Sequence, residues 1–370
     1  MNDSQHASSG RLIRSPEDAV LDELCAVLKV SASQWRMIND WPSRSLRACA
    51  DAGVYRWFLS ESQGGFGWDA VDQTKGYLRL AQADLTTTFV ITQYMGAVRR
   101  IAGSENHELR DQWIEPLLSG DQFGTVGISH LTTSGRHLKK PVLSARQTPQ
   151  GFVLDGTAPW ATGAPHSDVV VTGATLEDGR QILAAVPTAT PGVTAGPGIS
   201  LVALSASCTD RVQMNNVNID SSMLIAGPVE NVMQSGTGGS AGGLQTSTLA
   251  VGLSAAAVAF LVDEASRREE LQPIAQEMAS EQQGLKELLL RAVGGGLERG
   301  DDECSAPEVR GKANRFAMRS TQAALTAAKG AGFVDSHDVG RWCRQALFFL
   351  VWSCPQPVAQ SHLCELAGIQ

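Results

Sequence analysis

The sequence lacks the features that mark several classes of protein. Its formal net charge of −8 and isoelectric point near 5.4 leave no basic excess of the kind that nucleic-acid-binding proteins cluster on one face. No uninterrupted apolar run approaches the roughly 20 residues that a membrane span needs. The first residues, MNDSQHASSGRLIRS, have no apolar region of a secretory signal. These absences predict a cytoplasmic protein with no nucleic-acid partner and no membrane span.

Closely spaced cysteines are also missing. The seven cysteines are scattered along the chain, and no pair has C-x-x-C spacing. An odd, irregularly spaced set favours reduced thiols over a disulfide framework or a zinc site. We therefore expect small buried side chains at these positions and no metal site.

The composition is that of a globular protein with a large core. Of 370 residues, 43% are hydrophobic and 18% are charged, and this length predicts two or three core-forming units. Residues 16–119 read as helices, the first with Ser15 as its cap and Pro16 at its first position. Short β-rich runs from Phe123 to about Ile225 are typical of an antiparallel barrel or sandwich. Helical periodicity returns after the Gly/Ser-rich residues 236–243.

Several motifs then occur in an order that resembles the acyl-CoA dehydrogenase fold family. LSESQGGFG (59–67) is similar to the family's PExxGGxG loop. HELRDQWIEPLLSGDQFGTVGIS (107–129) is similar to its QxxxWLPxLxxG helix and the strand that follows. GFVLDGTAPWATGA (151–164) resembles its hairpin ending in KxWITN, and KGAGF (329–333) resembles GGxG, followed by an arginine at Arg344. The resemblance covers nearly the whole chain.

The resemblance implies an α+β multidomain fold. Residues 1–120 would form an N-terminal helical domain, residues 121–228 a central antiparallel β-barrel, and residues 229–370 a C-terminal four-helix bundle. It also implies a homodimer or homotetramer. The cofactor would be FAD, held between the barrel and the bundle.

The resemblance also assigns cofactor-binding residues. Trp160 would lie beside the flavin ring, where an indole supplies a flat apolar wall, and the Thr162 hydroxyl would approach a ring nitrogen. Ile128 and Ser129 would meet the pyrimidine edge of the ring. Ser134 and Gly135, in inverted order relative to the family's Gly-Ser pair, would approach the pyrophosphate.

The usual catalytic glutamate of the family is missing. In most members it stands at a corner after the arginine-bearing helix, and counting from Arg344 this position falls on Ser353. A second branch places it on the first bundle helix, where Leu244–Ser247 (Leu-Gln-Thr-Ser) carries no acid. The chain is therefore interpreted as a divergent member whose base is altered, because removing a proton next to a thioester carbonyl needs a positioned base.

Three functions stay open at this point. The first is a flavin-dependent oxidoreductase acting on a CH–CH bond of an acyl or related substrate, such as an acyl thioester, with His130 or His166 in place of the glutamate. The second is a monooxygenase of the same fold that uses reduced flavin and oxygen, with His130 and Ser353 near the ring. The third is a catalytically silent relative with a binding or assembly role.

The candidate catalytic residues are accordingly His130 and Ser353, and the structural alternative for His130 is a strand-end histidine bonded to backbone. The family's R-x-x-F-G loop, which reaches the FAD of a neighbouring subunit, has no counterpart in residues 267–278. Reduced flavin or FMN is therefore the alternative to FAD. We also expect Trp342, Ala346 and Phe349 to pack inside the bundle, and the corner at Ser353 and Cys354 to face the flavin cavity.

Overall fold

A computed structural model of the chain describes residues 11–34, 40–132, 141–234, 243–354 and 356–369. The predicted pyrophosphate contacts Ser134 and Gly135 lie outside the described residues, as does most of the Gly/Ser-rich stretch.

The N-terminal part of the described chain is helical, as predicted. Its first helix begins at Ala19 rather than at Pro16, because the Asp18 carboxylate accepts a hydrogen bond from the amide of Val20 at 3.0 Å and so caps the helix there. Helices α1 to α5 span Ala19–Ala32, Ser43–Asp51, Ala70–Ala83, Leu85–Ala102 and His107–Ser119.

The middle of the chain forms an eight-stranded sheet within the described residues. Strands β1 to β8 span Gly124–Gly127, Leu143–Thr148, Gly151–Ala161, Val169–Thr175, Gln181–Pro187, Val193–Ala195, Asp210–Asp220 and Leu224–Val229. Their order in the sheet is β6-β7-β3-β2-β4-β5-β8, with β1 also paired to β4. Most pairs are antiparallel, as predicted, but β1 and β2 both run parallel to β4 and pair with successive parts of its length. The interval between β1 and β2 includes one helical turn, α6 (Ser129–Thr132).

Helices return after the sheet and pack as a bundle against the N-terminal helices. Gly252 of the first bundle helix permits this contact, because a Cβ atom there would lie 2.6 Å from the Cβ of Ala81 and 3.0 Å from the carbonyl of Leu78. Helices α7 to α11 span Leu244–Ala265, Gln272–Val293, Ala306–Ala328, Asp338–Leu347 and Gln356–Leu366.

Helix α7 is the one helix of the described chain that is long and apolar enough to cross a membrane. The share of its most apolar window that is buried within the protein is 72%, as expected for the central helix of a bundle. Its side chains share one apolar core with α3, α4, α8, α9 and α10. The predicted order of helical domain, sheet and helical bundle is therefore confirmed, and the three parts meet around α4 and α7.

Candidate functional site

A cavity of about 680 Å³ lies where the three parts meet. Its walls come from α4, the β1–α6 segment, the end of β3, residues 201–204, the start of α7 and the corner that follows α10. Cavities of roughly 300–1,000 Å³ at such junctions are typical ligand sites. Five predicted site residues line this cavity: Ile128, Ser129, Trp160, Thr162 and Ser353.

A β-bulge presents Trp160 to the cavity. Between Ala158 and Ala161 strand β3 advances by three residues while β7 advances by two, from Val212 to Asp210. The extra residue bends the strand and holds Trp160 at φ 57°, a left-handed conformation that bulky residues rarely adopt. The indole is 53% exposed, so the fold holds a large aromatic surface uncovered at the cavity wall.

Hydrogen bonds between hydroxyl groups and neighbouring segments hold this wall in position. Ser129 donates a hydrogen bond to the carbonyl of Pro159 at 3.0 Å, which ties α6 to the bulge. The hydroxyl of Thr162 lies 3.0 Å from that of Thr209, which in turn lies 2.8 Å from that of Ser207. All three of these last side chains are buried. The chain of hydroxyls fixes the position of Thr162 next to the cavity.

The opposite wall is the corner after α10, and its backbone is also left-handed. Ser353 has φ 46°. Arg310 of α9 is 1% exposed and donates to the carbonyls of Phe349 at 3.2 Å and Trp352 at 2.8 Å. The amide of Asn314 also donates to the Phe349 carbonyl, at 2.9 Å. Buried side chains that donate hydrogen bonds to the free carbonyls of a helical turn hold the corner in place.

The stretch ALFFLVWSCPQP (346–357) contributes to both the core and the cavity, but Cys354, which was expected to face the cavity together with Ser353, does not line it. Ala346 and Phe349 are fully buried in the bundle core, against which Trp342 also packs. Phe348 and Trp352 instead line the cavity, stacked with ring centroids 5.0 Å apart.

Aromatic contacts join this corner to α4. The ring of Phe89 meets Phe348 edge-on at 4.9 Å and Trp352 edge-on at 5.0 Å. The three rings form an apolar wall of the cavity. They were not predicted as site residues, because helical periodicity does not separate a ring on a cavity wall from one in the core.

Acidic side chains are absent from the described residues that line the cavity, and so are histidine, lysine and cysteine. The sequence outside the described residues contains a single acidic residue, Asp3. Cys354 follows Ser353, and burial raises the pKa of its thiol, an effect that the charge of Arg310 partly offsets. A protonated thiol and a serine hydroxyl are poor bases at neutral pH.

His130 does not line the cavity. Its Nε2 lies 2.7 Å from the carbonyl oxygen of Gly173 in β4, and burial lowers the pKa of the ring. A neutral ring with its proton on Nε2 donates this bond. The arrangement matches the structural alternative for His130, and its catalytic role stays a prediction.

The second candidate base, His166, also lies away from the cavity walls. It is exposed, and its ring stacks on Trp41 with centroids 4.5 Å apart.

All seven cysteines lie in the described residues, and none of them forms a disulfide.

Comparison with known proteins agrees with this geometry. The family model described as acyl-CoA dehydrogenase, N-terminal domain, matches residues 16–121. A probable acyl-CoA dehydrogenase from Bacillus subtilis (strain 168), YngJ, is 23% identical over 329 residues, which cover 83% of this chain and 85% of that protein. The chain also matches about half the length, 47%, of the short-chain specific acyl-CoA dehydrogenase of Mus musculus.

Solved structures are similar over nearly the full length. A complex of glutaryl-coenzyme A dehydrogenase with glutaryl-CoA has a TM-score of 0.78 at 16% identity and covers 95% of this chain and 96% of that one. The FAD complex of PigA has a TM-score of 0.75 at 16% identity, with 95% and 98% covered. The chain therefore has the three-part fold of the acyl-CoA dehydrogenases. Its residues 16–121 match the N-terminal domain of that family.

Proposed function

We propose that this chain binds FAD in the cavity and acts as a flavin-dependent oxidoreductase on a CH–CH bond of an acyl or related substrate. The observation that carries the proposal is Trp160, a half-exposed indole held in a left-handed conformation on the wall of a cavity of about 680 Å³. An apolar ring exposed at such a wall is explained by a planar ligand that covers it.

The residues of the cavity fit a flavin. Trp160 would cover one part of the ring, and the hydroxyl of Thr162 and the backbone at Ile128 and Ser129 would supply polar contacts. FAD, when bound, would accept the electrons that leave the substrate. The hydroxyls of Thr209 and Ser207 would keep the Thr162 side chain oriented, so that no rearrangement is needed on binding.

The group that would accept the substrate proton is where this chain would differ from the enzymes that it resembles. The described cavity walls offer a hydroxyl at Ser353 but no carboxylate, so the chain would exclude bulk water and position the substrate without supplying a strong base. Reduced-flavin monooxygenation is the second candidate, and it is favoured specifically because no carboxylate lines the cavity within the described residues. A homodimer or homotetramer remains our expectation.

The first test is the identity and amount of bound flavin. We expect about one FAD for each chain after gentle purification, measured by visible absorbance and chromatography of the released cofactor. Trp160→Ala removes the covering ring and should weaken FAD binding roughly 10- to 100-fold. Phe333→Ala is the matched control, because this ring is 85% exposed and does not line the cavity.

Reactivity separates the remaining functions. Bleaching of the oxidised flavin by an acyl-CoA without oxygen supports the dehydrogenase-like reaction. Faster oxygen consumption by reduced flavin with the protein supports the monooxygenase. A colourless protein that takes up neither FAD nor FMN would overturn both and leave the silent relative.

A further inference from the structure

Three arginines, Arg99, Arg100 and Arg344, line the cavity, and no described lining residue is acidic. Arg344 has the carboxylate of Asp335 at 3.3 Å. Arg99 and Arg100 lie at the end of α4 and place positive charge on the side of the N-terminal helices.

Arg99 offers donors to the cavity. Its guanidinium donates one hydrogen bond to the amide oxygen of Gln73 and lies 5.2 Å from the ring centroid of Phe58. Within the described chain, no carboxylate oxygen forms an ion pair with it. Since a guanidinium has five N–H donors in a fork that matches a carboxylate, one bond to a neutral amide leaves the fork open to an anion.

Arg100 adds to the same positive field. It is 4% exposed and donates to the carbonyl of Gly96 at 2.8 Å. Burial, together with the charge of Arg99, lowers the pKa of Arg100 to about 10, so it stays protonated at neutral pH. Two adjacent guanidinium charges with little access to water attract an anion strongly.

Neutral donors lie beside Arg99. The hydroxyl of Tyr77 is buried, with the residue 4% exposed, and makes no hydrogen bond of acceptable geometry. Burial raises the pKa of Tyr77, whereas the charge of Arg99 and the amide of Gln245 lower it, so both lie near its hydroxyl. Gln245 itself lines the cavity. Tyr77 does not line the cavity itself, so its hydroxyl would support a ligand bound there through the Gln245 amide.

We propose that the substrate carries a second anionic group, a carboxylate at the far end of its acyl chain, which Arg99 binds with help from the Tyr77 hydroxyl and the Gln245 amide. This inference rests on the proposed function, because it takes the acyl chain to occupy the same cavity as the flavin. A phosphate of the cofactor is the other source of such an anion, and the test distinguishes the two.

The experiment compares acids that differ only at the far end. Succinyl-, glutaryl- and adipyl-CoA are titrated calorimetrically into the protein saturated with FAD, each beside the monoacyl-CoA of the same carbon number. We expect at least one diacid to bind about tenfold tighter than its monoacid. Arg99→Gln should weaken that diacid roughly 10- to 100-fold and leave the monoacid nearly unchanged.

Two further variants guard the interpretation. Tyr77→Phe removes only a hydroxyl and keeps the ring in the core, and it should reduce the diacid preference by about tenfold or less. Arg79→Gln removes a surface arginine that pairs with Asp22 outside this cavity, so the preference should persist.

The outcomes separate this inference from the proposed function. Equal binding of diacids and monoacids by the unmodified protein, or equal weakening of both by Arg99→Gln, would overturn the inference. Loss of bound FAD in Arg99→Gln, with the diacid preference kept, would assign the arginine to the cofactor phosphate instead. A protein that binds no flavin but prefers a diacid would overturn the proposed function and support the anion site.

Discussion

Two walls of the cavity each contain a non-glycine residue with positive φ. On the sheet side Trp160 has φ 57°, and on the helical side Ser353 has φ 46°. Such conformations persist only where the surrounding structure imposes them, and they cluster at functional sites. The sheet wall presents a large aromatic surface, whereas the helical wall presents a small hydroxyl where relatives are expected to carry an acid.

The two walls are held by different means. A bulge in β3 and the bond from Ser129 to the Pro159 carbonyl set the sheet wall. Two bonds from the buried guanidinium of Arg310, to the carbonyls of Phe349 and Trp352, set the helical wall. The comparison teaches that two backbone turns of similar φ, each held by contacts from other segments, can present side chains of very different size and chemistry. Shape depends on many contacts, and the chemistry depends on a single side chain.

Restoring an acid to the helical wall should produce the largest effect. Ser353→Glu places a carboxylate at the corner, and a positioned base typically contributes about 10²- to 10⁴-fold to such a reaction. We expect a rise of that order in the rate of flavin reduction by an acyl-CoA, measured by anaerobic stopped-flow absorbance. Ser353→Gln is the matched control, with similar size and no basic oxygen. An equal rise in both variants would refute the role of the carboxylate.

Gly173→Ala should displace the segments that support the sheet wall of the cavity. A Cβ atom at Gly173 would lie 2.5 Å from Cδ1 of Leu131 and 2.7 Å from the carbonyl of Ile182, so α6 or β5 must shift. Such overpacking lowers the free energy of unfolding by about 1–3 kcal/mol, measurable by chemical denaturation. Gly284→Ala is the control, because nothing lies within 4 Å of that position in α8, and it should stabilise by up to about 1 kcal/mol.

The smallest effect concerns His130 and pH. Burial lowers its folded pKa, against the opposing bond to Gly173, while the unfolded value is near ~6.5. His130 then binds more protons in the unfolded chain than in the folded one. Its contribution to the free energy of unfolding is therefore fully present above about pH 6.5 and is lost as the pH falls below that value. His130→Gln should flatten that part of the stability curve between pH 5 and 8, as measured by thermal unfolding.

The pH curve has other contributors, and the variant isolates one of them. The pKa values of His166 and His362 are also lowered by burial, so part of the slope should remain in His130→Gln. Unchanged turnover in this variant would agree with a structural role. Loss of turnover with unchanged stability would instead support the predicted catalytic role.

Part of the site was predictable from motifs in the sequence. The family resemblance pointed to Trp160, Thr162, Ser129 and Ser353, and all four line one cavity, each at or near the end of a strand or helix. Arg99 and Phe89 were not predicted, since both lie within α4 (Leu85–Ala102) and no local signal marks them as cavity residues. His130 lies at a predicted strand end, but its ring orientation depends on the carbonyl of a distant strand.

The order of helices, strands and helices, and the absence of an acid at the two expected base positions, follow from the amino-acid sequence alone, because periodicity and residue type are local properties. Three other features depend on the tertiary structure: the bulge that exposes Trp160, the buried guanidinium that sets the corner, and the gathering of three arginines around a cavity whose described lining carries no acid. Each depends on groups far apart in the chain that meet only when the sheet and bundle pack, and burial raises the free-energy cost of any polar group that is left without a partner.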